Sequence, residues 1–168
     1  MSTDPTTAKE TTGESEKRIL ILGIGNLLMG DEGVGVHLVR RLAEEEWPQG
    51  VVIEDGGTAG FQLMGFLDDY PIVILIDAAL EPDRAGQFRL VQPRFSKDYP
   101  KALSTHDIGL KDLLDGMQLL DRMPNVYLFV ISISDLQPLK VGLSPETEAL
   151  LPEVAKAVRE LAFKELKS

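Results

Sequence analysis

Two adjacent acidic residues, Asp31 and Glu32, follow a glycine-rich turn near the start of the chain. They belong to the stretch RILILGIGNLLMGDEGVG at residues 18–35, in which a short apolar run precedes the turn and a helix is expected after it. The apolar run is too short to span a membrane and is typical of a strand buried on both faces. Acidic side chains at such a helix start serve as caps or as ligands of a metal ion. The sequence leaves both roles open for this pair.

A nucleotide phosphate is a poor partner for this turn. The dinucleotide-binding fingerprint needs glycine at position 28, where this chain has Leu28, and the chain contains no phosphate-binding G-x-x-x-x-G-K-[ST] motif. The carboxylates of Asp31 and Glu32 would also occupy the helix start, where positive potential normally attracts an anion. These residues therefore favour a cation or a polar partner.

Two further candidates for chemistry lie far along the chain. Asp77 follows the apolar run IVILI at residues 72–76, and His106 lies at the start of a predicted helix. The carboxyl ends of parallel strands and the N-termini of the following helices meet at one edge of a sheet, so Glu32, Asp77 and His106 are expected to converge. Two carboxylates and one imidazole suit a divalent metal such as nickel or zinc and leave coordination positions open. Taken separately, Asp77 could only cap a turn, and His106 could only be a polar residue of a first helical turn.

The elements that must position these residues follow from the apolar periodicity. Strands are predicted at residues 19–22, 51–55, 72–76, 86–92 and 126–133. Helices are predicted at residues 34–47, at about 59–68, after His106 to about 121, and from 145 to about 161. Strands that alternate with helices predict an α/β fold, here a single three-layer α/β/α domain with a twisted, mostly parallel five-stranded sheet.

Three local features complete this outline. Ser144 is predicted to cap the last helix, with Pro145 in its first turn, and Thr58 is the natural cap of the second helix. His37 lies on the polar face of the first helix and is predicted to be a solvated surface histidine. Residues 1–17 carry no periodic apolar signal and are predicted to be a disordered tail, which leaves residues 18–168 as the domain.

Composition narrows the classes of function. The 168 residues are 43% hydrophobic and 26% charged, as in one soluble globular domain. A net charge of −10 disfavours nucleic acid, and no apolar run is long enough for membrane insertion. The first 17 residues contain no secretory signal and the chain has no cysteine, so we expect a cytoplasmic protein without disulfides or thiol nucleophiles. The G-x-S-x-G and H-E-x-x-H motifs are also absent.

Five short motifs occur in an order that resembles a known family. They are GIGN with DEGVG at residues 23–35, DGGTAG at 55–60, IDA at 76–78, STH at 104–106 and GLS at 142–144. Together they resemble the hydrogenase maturation endopeptidases, which trim the C-terminus of the large subunit of NiFe hydrogenases. The resemblance covers residues 18–161. One departure is ISISD at residues 131–135, where the family pattern leads us to expect a glycine-containing turn.

The resemblance implies a site, a substrate and a reaction. The residues that correspond to the family's metal-binding and catalytic site are Glu32, Asp77 and His106. The residues that correspond to its substrate-facing loop are Asp55, Gly56, Gly57 and Thr58. The implied activity is that of a metal-dependent endopeptidase of the aspartyl protease type, a hydrolase that removes one short C-terminal peptide from the nickel-loaded precursor of a hydrogenase large subunit. The Ni²⁺ is expected to be carried by that substrate rather than bound permanently.

Two alternatives stay open at this point. In the first, the three residues only recognise the metal, while Asp31 or Asp55 transfers the proton. In the second, the protein is a non-catalytic metal-sensing chaperone of the immature large subunit, because the chain lacks an ordinary nucleophile and a complete metalloprotease motif. We expect a monomer, since the closing helix has enough polar residues to face solvent.

Overall fold

A five-stranded sheet forms the centre of the molecule. The structure is a computed structural model, and it describes residues 18–58, 63–94, 96–100 and 110–168. The strands are β1 (Ile19–Ile24), β2 (Val51–Gly57), β3 (Ile72–Leu80), β4 (Phe88–Val91) and β5 (Asn125–Ile133). They lie in the order β2-β1-β3-β5-β4, and only β4 runs antiparallel to its neighbour among the described strands. The predicted mostly parallel five-stranded sheet is therefore confirmed.

Helices cover both faces of this sheet. They are α1 (Val34–Leu42), α2 (Leu63–Asp68), α3 (Leu110–Leu119) and α4 (Pro145–Lys167). Side chains alternate along β1, so Ile19 and Ile21 pack in one apolar cluster with α1 and α4, while Leu20 and Leu22 pack in a second cluster with α2 and α3. This arrangement confirms the three-layer α/β/α architecture. None of the described helices is both long and apolar enough to cross a membrane.

Several elements end at other residues than the sequence predicts. Strand β1 continues to Ile24, β3 to Leu80 and α4 to Lys167. Helix α1 ends at Leu42 instead of residue 47, because the indole nitrogen of Trp47 donates a hydrogen bond of 2.7 Å to the carbonyl oxygen of Leu42. Strand β2 continues to Gly57 instead of ending at residue 55, since a bulge pairs Ile24 of β1 with Gly57. The first half of the DGGTAG segment is therefore strand and not turn.

The predicted cap of the last helix is confirmed. The hydroxyl of Ser144 accepts a hydrogen bond of 3.3 Å from the backbone nitrogen of Thr147, and Pro145 begins the helix. The predicted tail at residues 1–17, and the first turns of the helices predicted after Thr58 and His106, lie outside the described residues.

Two glycines allow β1, β3 and the start of α1 to come very close together. A Cβ atom at Gly35 would lie 2.3 Å from the carbonyl oxygen of Ile76 and 2.4 Å from that of Ile24. A Cβ atom at Gly25 would lie 2.2 Å from the carbonyl oxygen of Glu32, and Gly25 also has a φ of 151°. These contacts hold the segment that carries Glu32 against the carboxyl ends of β1 and β3.

Candidate active site

Glu32 lies in a single turn of 3-10 helix, Gly30–Gly33, which we call the acidic turn. Asp31 and Glu32 both belong to this turn, and each is only 2% exposed. The Oε1 atom of Glu32 is buried and has no hydrogen-bond partner among the residues that the structure describes. A buried carboxylate oxygen without a partner is costly, so such a group marks a place where a cation or a proton donor is expected to bind.

Asp77 lies within β3 and is completely buried. Its Oδ1 atom accepts a hydrogen bond of 2.8 Å from the backbone nitrogen of Ala78, which fixes the orientation of the carboxylate. The acidic turn contacts β3, so Glu32 and Asp77 lie at the same edge of the sheet, as the parallel topology predicts.

His106 lies outside the described residues, so the third member of the predicted site has no described position. Helix α3 begins at Leu110, four residues later, and packs on one face of the sheet. Along β3, Asp77 lies on the same face as Leu75 and Ala79, two residues away on either side. Both belong to the apolar cluster that α3 covers. Within the described parts of the chain, no group of three His, Asp or Glu residues is placed to hold a metal ion.

The donor set present nevertheless fits a divalent cation. The buried carboxylates of Glu32 and Asp77 supply hard oxygen ligands. The Oε1 atom of Glu32, which has no partner among the described residues, is available to such a cation. Glu32 and Asp77 would hold the metal, which would supply Lewis-acid polarisation of a carbonyl group.

Asp31 has a different role from its neighbour. Its Oδ1 atom accepts a hydrogen bond of 2.7 Å from the backbone nitrogen of Ser144, and its Oδ2 atom accepts one of 2.7 Å from the Ser144 hydroxyl. Of the two roles that the sequence leaves open, Asp31 therefore has the capping role, but for the distant helix α4 instead of the adjacent α1.

The substrate-facing loop predicted from the resemblance lies at the end of β2. Asp55 forms an ion pair of 2.9 Å with Arg40, and its Oδ1 atom accepts a hydrogen bond of 2.9 Å from the backbone nitrogen of Gly57. Gly56 is buried, whereas Asp55 and Thr58 are exposed. The carbonyl oxygen of Gly57 accepts a hydrogen bond of 3.0 Å from Gly25, so this segment is attached to the turn after β1.

A polar cluster that no sequence pattern predicts lies just beyond the end of β3. The guanidinium group of Arg89 in β4 binds both carboxylate oxygens of Glu81, at 2.7 and 2.8 Å. The hydroxyl of the buried Ser132 in β5 donates a hydrogen bond of 2.6 Å to the same carboxylate. The bond from Arg89 and, to a lesser extent, that from Ser132 lower the pKa of Glu81 to about 2. No spacing in the sequence identifies this cluster, because its members come from three separate segments.

The prediction that His37 is a solvated surface histidine is wrong. His37 is half-buried, and its Nε2 atom is buried with no hydrogen-bond partner within the described ranges. The reason is that α4 packs against α1, where Arg41 forms an ion pair of 2.6 Å with Glu148 of α4. Burial and, next, the positive charge of Arg41 lower the pKa of His37.

Comparison with known proteins identifies related sequences and structures. The family model of the hydrogenase maturation protease HycI matches residues 36–161. The hydrogenase 2 maturation protease of Escherichia coli K12 is 32% identical over 150 residues, which cover 85% of this chain and 92% of that protein. The hydrogenase expression/formation protein HupD of Bradyrhizobium diazoefficiens is 36% identical over 165 residues, covering 90% of this chain and 81% of that protein. The structure of the hydrogenase maturating endopeptidase HybD from E. coli superimposes with a TM-score of 0.79 at 29% identity, covering 88% of this chain and 93% of that one.

Proposed function

The chain belongs to the hydrogenase maturation protease family, and on this basis we propose that it removes a short C-terminal peptide from the nickel-loaded precursor of a hydrogenase large subunit. The endopeptidase activity follows from the family. The C-terminal position of the cut and the requirement for nickel in the substrate are the proposal. Its support in this chain is Glu32, a buried carboxylate whose Oε1 atom has no described hydrogen-bond partner, at the sheet edge that also holds Asp77.

A substrate-borne nickel ion would supply Lewis-acid polarisation of the scissile carbonyl group. The chain's own residues then have to orient the attacking water and accept its proton. Asp77 is suited to orientation, because its Oδ1 atom is fixed by the backbone nitrogen of Ala78. Glu32 is suited to accept the proton, since its Oε1 atom is not engaged. We propose that His106 completes this set.

The other two acids considered for proton transfer are less suitable. Both oxygens of Asp31 already accept hydrogen bonds from Ser144. Asp55 forms an ion pair with Arg40 and accepts a hydrogen bond from Gly57. Oxygen atoms that already accept hydrogen bonds or form an ion pair are less available to an attacking water. We therefore assign Asp55, Gly56, Gly57 and Thr58 to substrate binding and not to proton transfer.

The decisive experiment is intact mass spectrometry of a cognate precursor after incubation with this protein, with and without nickel in the precursor. We expect the loss of a single C-terminal peptide from the nickel-loaded form only. Cleavage regardless of nickel would support the protease activity and would contradict the requirement for nickel in the substrate. Stable complex formation without any change in mass would favour the non-catalytic chaperone instead.

Site variants test the residues in the same assay. We expect E32Q, D77N and H106A each to abolish cleavage, whereas R40Q, which removes only the exposed partner of Asp55, should retain it. Wild-type activity of E32Q or H106A would contradict the proposed site. We also propose that the protein is a monomer and acts in the cytoplasm. Light scattering tests the oligomeric state, and cell fractionation tests the location.

A further inference from the structure

We propose that Asp31 is a positioning residue, which together with Ser144 holds the acidic turn so that Glu32 faces the site. The catalytic consequence rests on the proposed function, whereas the structural consequence does not. The evidence consists of the contacts of Asp31, the second attachment of the acidic turn, and the burial of Glu32 without a partner.

The contact between Asp31 and Ser144 engages both carboxylate oxygens of Asp31. Two hydrogen bonds of 2.7 Å join the two carboxylate oxygens of Asp31 to the backbone nitrogen and hydroxyl of Ser144. The same hydroxyl accepts the capping bond from Thr147, so the first turn of α4 and the acidic turn share one serine. The negative charge of Asp31 also lies at the N-terminus of α4, where the helix dipole stabilises it.

A second attachment comes from the loop before Ser144. The backbone nitrogen of Gly30 donates a hydrogen bond of 2.8 Å to the carbonyl oxygen of Lys140, and Met29 forms an isolated bridge with Lys140. The side chain of Gln137 packs directly against Gly30, where a Cβ atom would lie 2.4 Å from its Oε1 atom. The acidic turn is therefore attached at two successive positions, Gly30 and Asp31, to the same neighbouring segment.

The acidic turn needs this support because of Glu32. The turn has only four residues, and no side chain caps its N-terminus. A buried carboxylate oxygen without a partner, as Oε1 of Glu32 is among the described residues, gains free energy by moving into water, so Glu32 by itself favours an opened turn. The hydrogen bonds of Asp31 oppose this movement and keep Glu32 at the sheet edge with Asp77.

The test compares D31A with D31N and with E146Q as the matched control. D31A removes both hydrogen bonds. D31N keeps an acceptor for the Ser144 nitrogen and a donor for its hydroxyl. E146Q removes an exposed acid from the first turn of the same helix without touching the acidic turn. The two readouts are hydrogen exchange of the amides of residues 29–34 and the separate values of kcat and KM on the nickel-loaded precursor.

For D31A we expect exchange of these amides to accelerate about 10-fold or more, and kcat to fall about 100-fold with a nearly unchanged KM. D31N should recover most of both properties, and E146Q should resemble the wild type. Unchanged exchange in D31A would overturn the proposal. A loss of kcat in D31N as large as in D31A, without faster exchange, would also overturn it, since Asp31 would then act as a base.

A milder variant keeps the test valid if D31A does not fold. S144G removes the hydroxyl bond, retains the bond from the backbone nitrogen, and replaces the cap by a residue that caps nearly as well. Its exchange and kcat should lie between those of the wild type and D31A, and wild-type values would contradict the proposal. If the wild type cuts no precursor, the proposed function fails, and hydrogen exchange still decides the role of Asp31.

Discussion

Arg89 binds both carboxylate oxygens of Glu81, at 2.7 and 2.8 Å, and thereby attaches the antiparallel edge strand β4 to the end of β3. Both side chains are partly buried, and Ser132 of β5 adds a third hydrogen bond to the same carboxylate. A two-point contact of this kind fixes geometry better than a single exposed ion pair does. We therefore expect it to contribute to the stability of the edge of the sheet.

The first prediction concerns the pH dependence of this contact. The pKa of Glu81 is about 2 in the folded state and near 4.5 in the unfolded chain. The stabilisation that this contact gives the folded state is therefore complete above pH 4.5 and is lost as the pH falls towards 2. E81Q should lower the free energy of unfolding by about 2 kcal/mol at pH 7 and by much less at pH 3. Urea denaturation at the two pH values measures the difference. An equal loss at both would contradict the assignment.

The second prediction separates the two adjacent acids by stability. E32Q removes the charge of a buried carboxylate whose Oε1 atom has no hydrogen-bond partner in the described part of the chain, so the free energy of unfolding should stay the same or rise by up to about 1 kcal/mol. D31A breaks two hydrogen bonds of a buried carboxylate and should lower it by about 2 kcal/mol. Thermal and urea denaturation compare both variants with the wild type. Equal destabilisation by the two changes would contradict this division of roles.

The third prediction concerns the contact between α1 and the ends of the strands. G35A places a methyl group 2.3 Å from the carbonyl oxygen of Ile76, which cannot move without disturbing the sheet. We expect a loss of about 3 kcal/mol in the free energy of unfolding, together with lower cleavage activity, since Glu32 is displaced.

G116A in α3 is the matched control for G35A. Apart from the backbone of its own helix, no atom of the described residues lies within 4 Å of a Cβ atom at Gly116, so alanine should stabilise the protein by about 0.5–1 kcal/mol through its helix propensity. Denaturation curves of the two variants give the comparison, and a stable G35A protein would show that the close approach is not required.

The fourth prediction concerns His37. Burial and Arg41 lower its pKa, while Glu148 opposes this effect. Because the folded pKa lies below 6.5, the unfolded chain binds a proton first as the pH falls, and stability decreases below pH 6.5 until the folded pKa is reached. H37Q should weaken this dependence, which denaturation between pH 7.5 and pH 5 measures.

Glu148 provides the control for His37. E148Q removes a negative charge that raises the pKa of His37, so the titration of the imidazole ring in NMR spectra should shift to still lower pH. Arg40 and Asp31 also act on the ring, in opposite directions, and remain in place in this variant. A shift to higher pH would contradict the environment described for His37.

The sequence by itself determined the sheet and the edge at which the acids lie. Short apolar runs specify buried strands locally, and the alternation of strands with helices specifies a parallel order. Glu32 lies in the loop after the first run and Asp77 follows the third, so topology alone brings them to one edge. The cap at Ser144 was also predictable, since it depends on residues within one turn of each other.

Only the tertiary structure decided which polar groups meet. Asp31 and Ser144 are 113 residues apart in sequence, and Glu81 and Ser132 are 51 apart, so no local pattern pairs them. The half-buried state of His37 depends on α4, which packs across α1 from the other end of the chain. The physical reason is that apolar periodicity specifies which face of an element is buried, whereas hydrogen bonds and ion pairs depend on distances that packing alone sets.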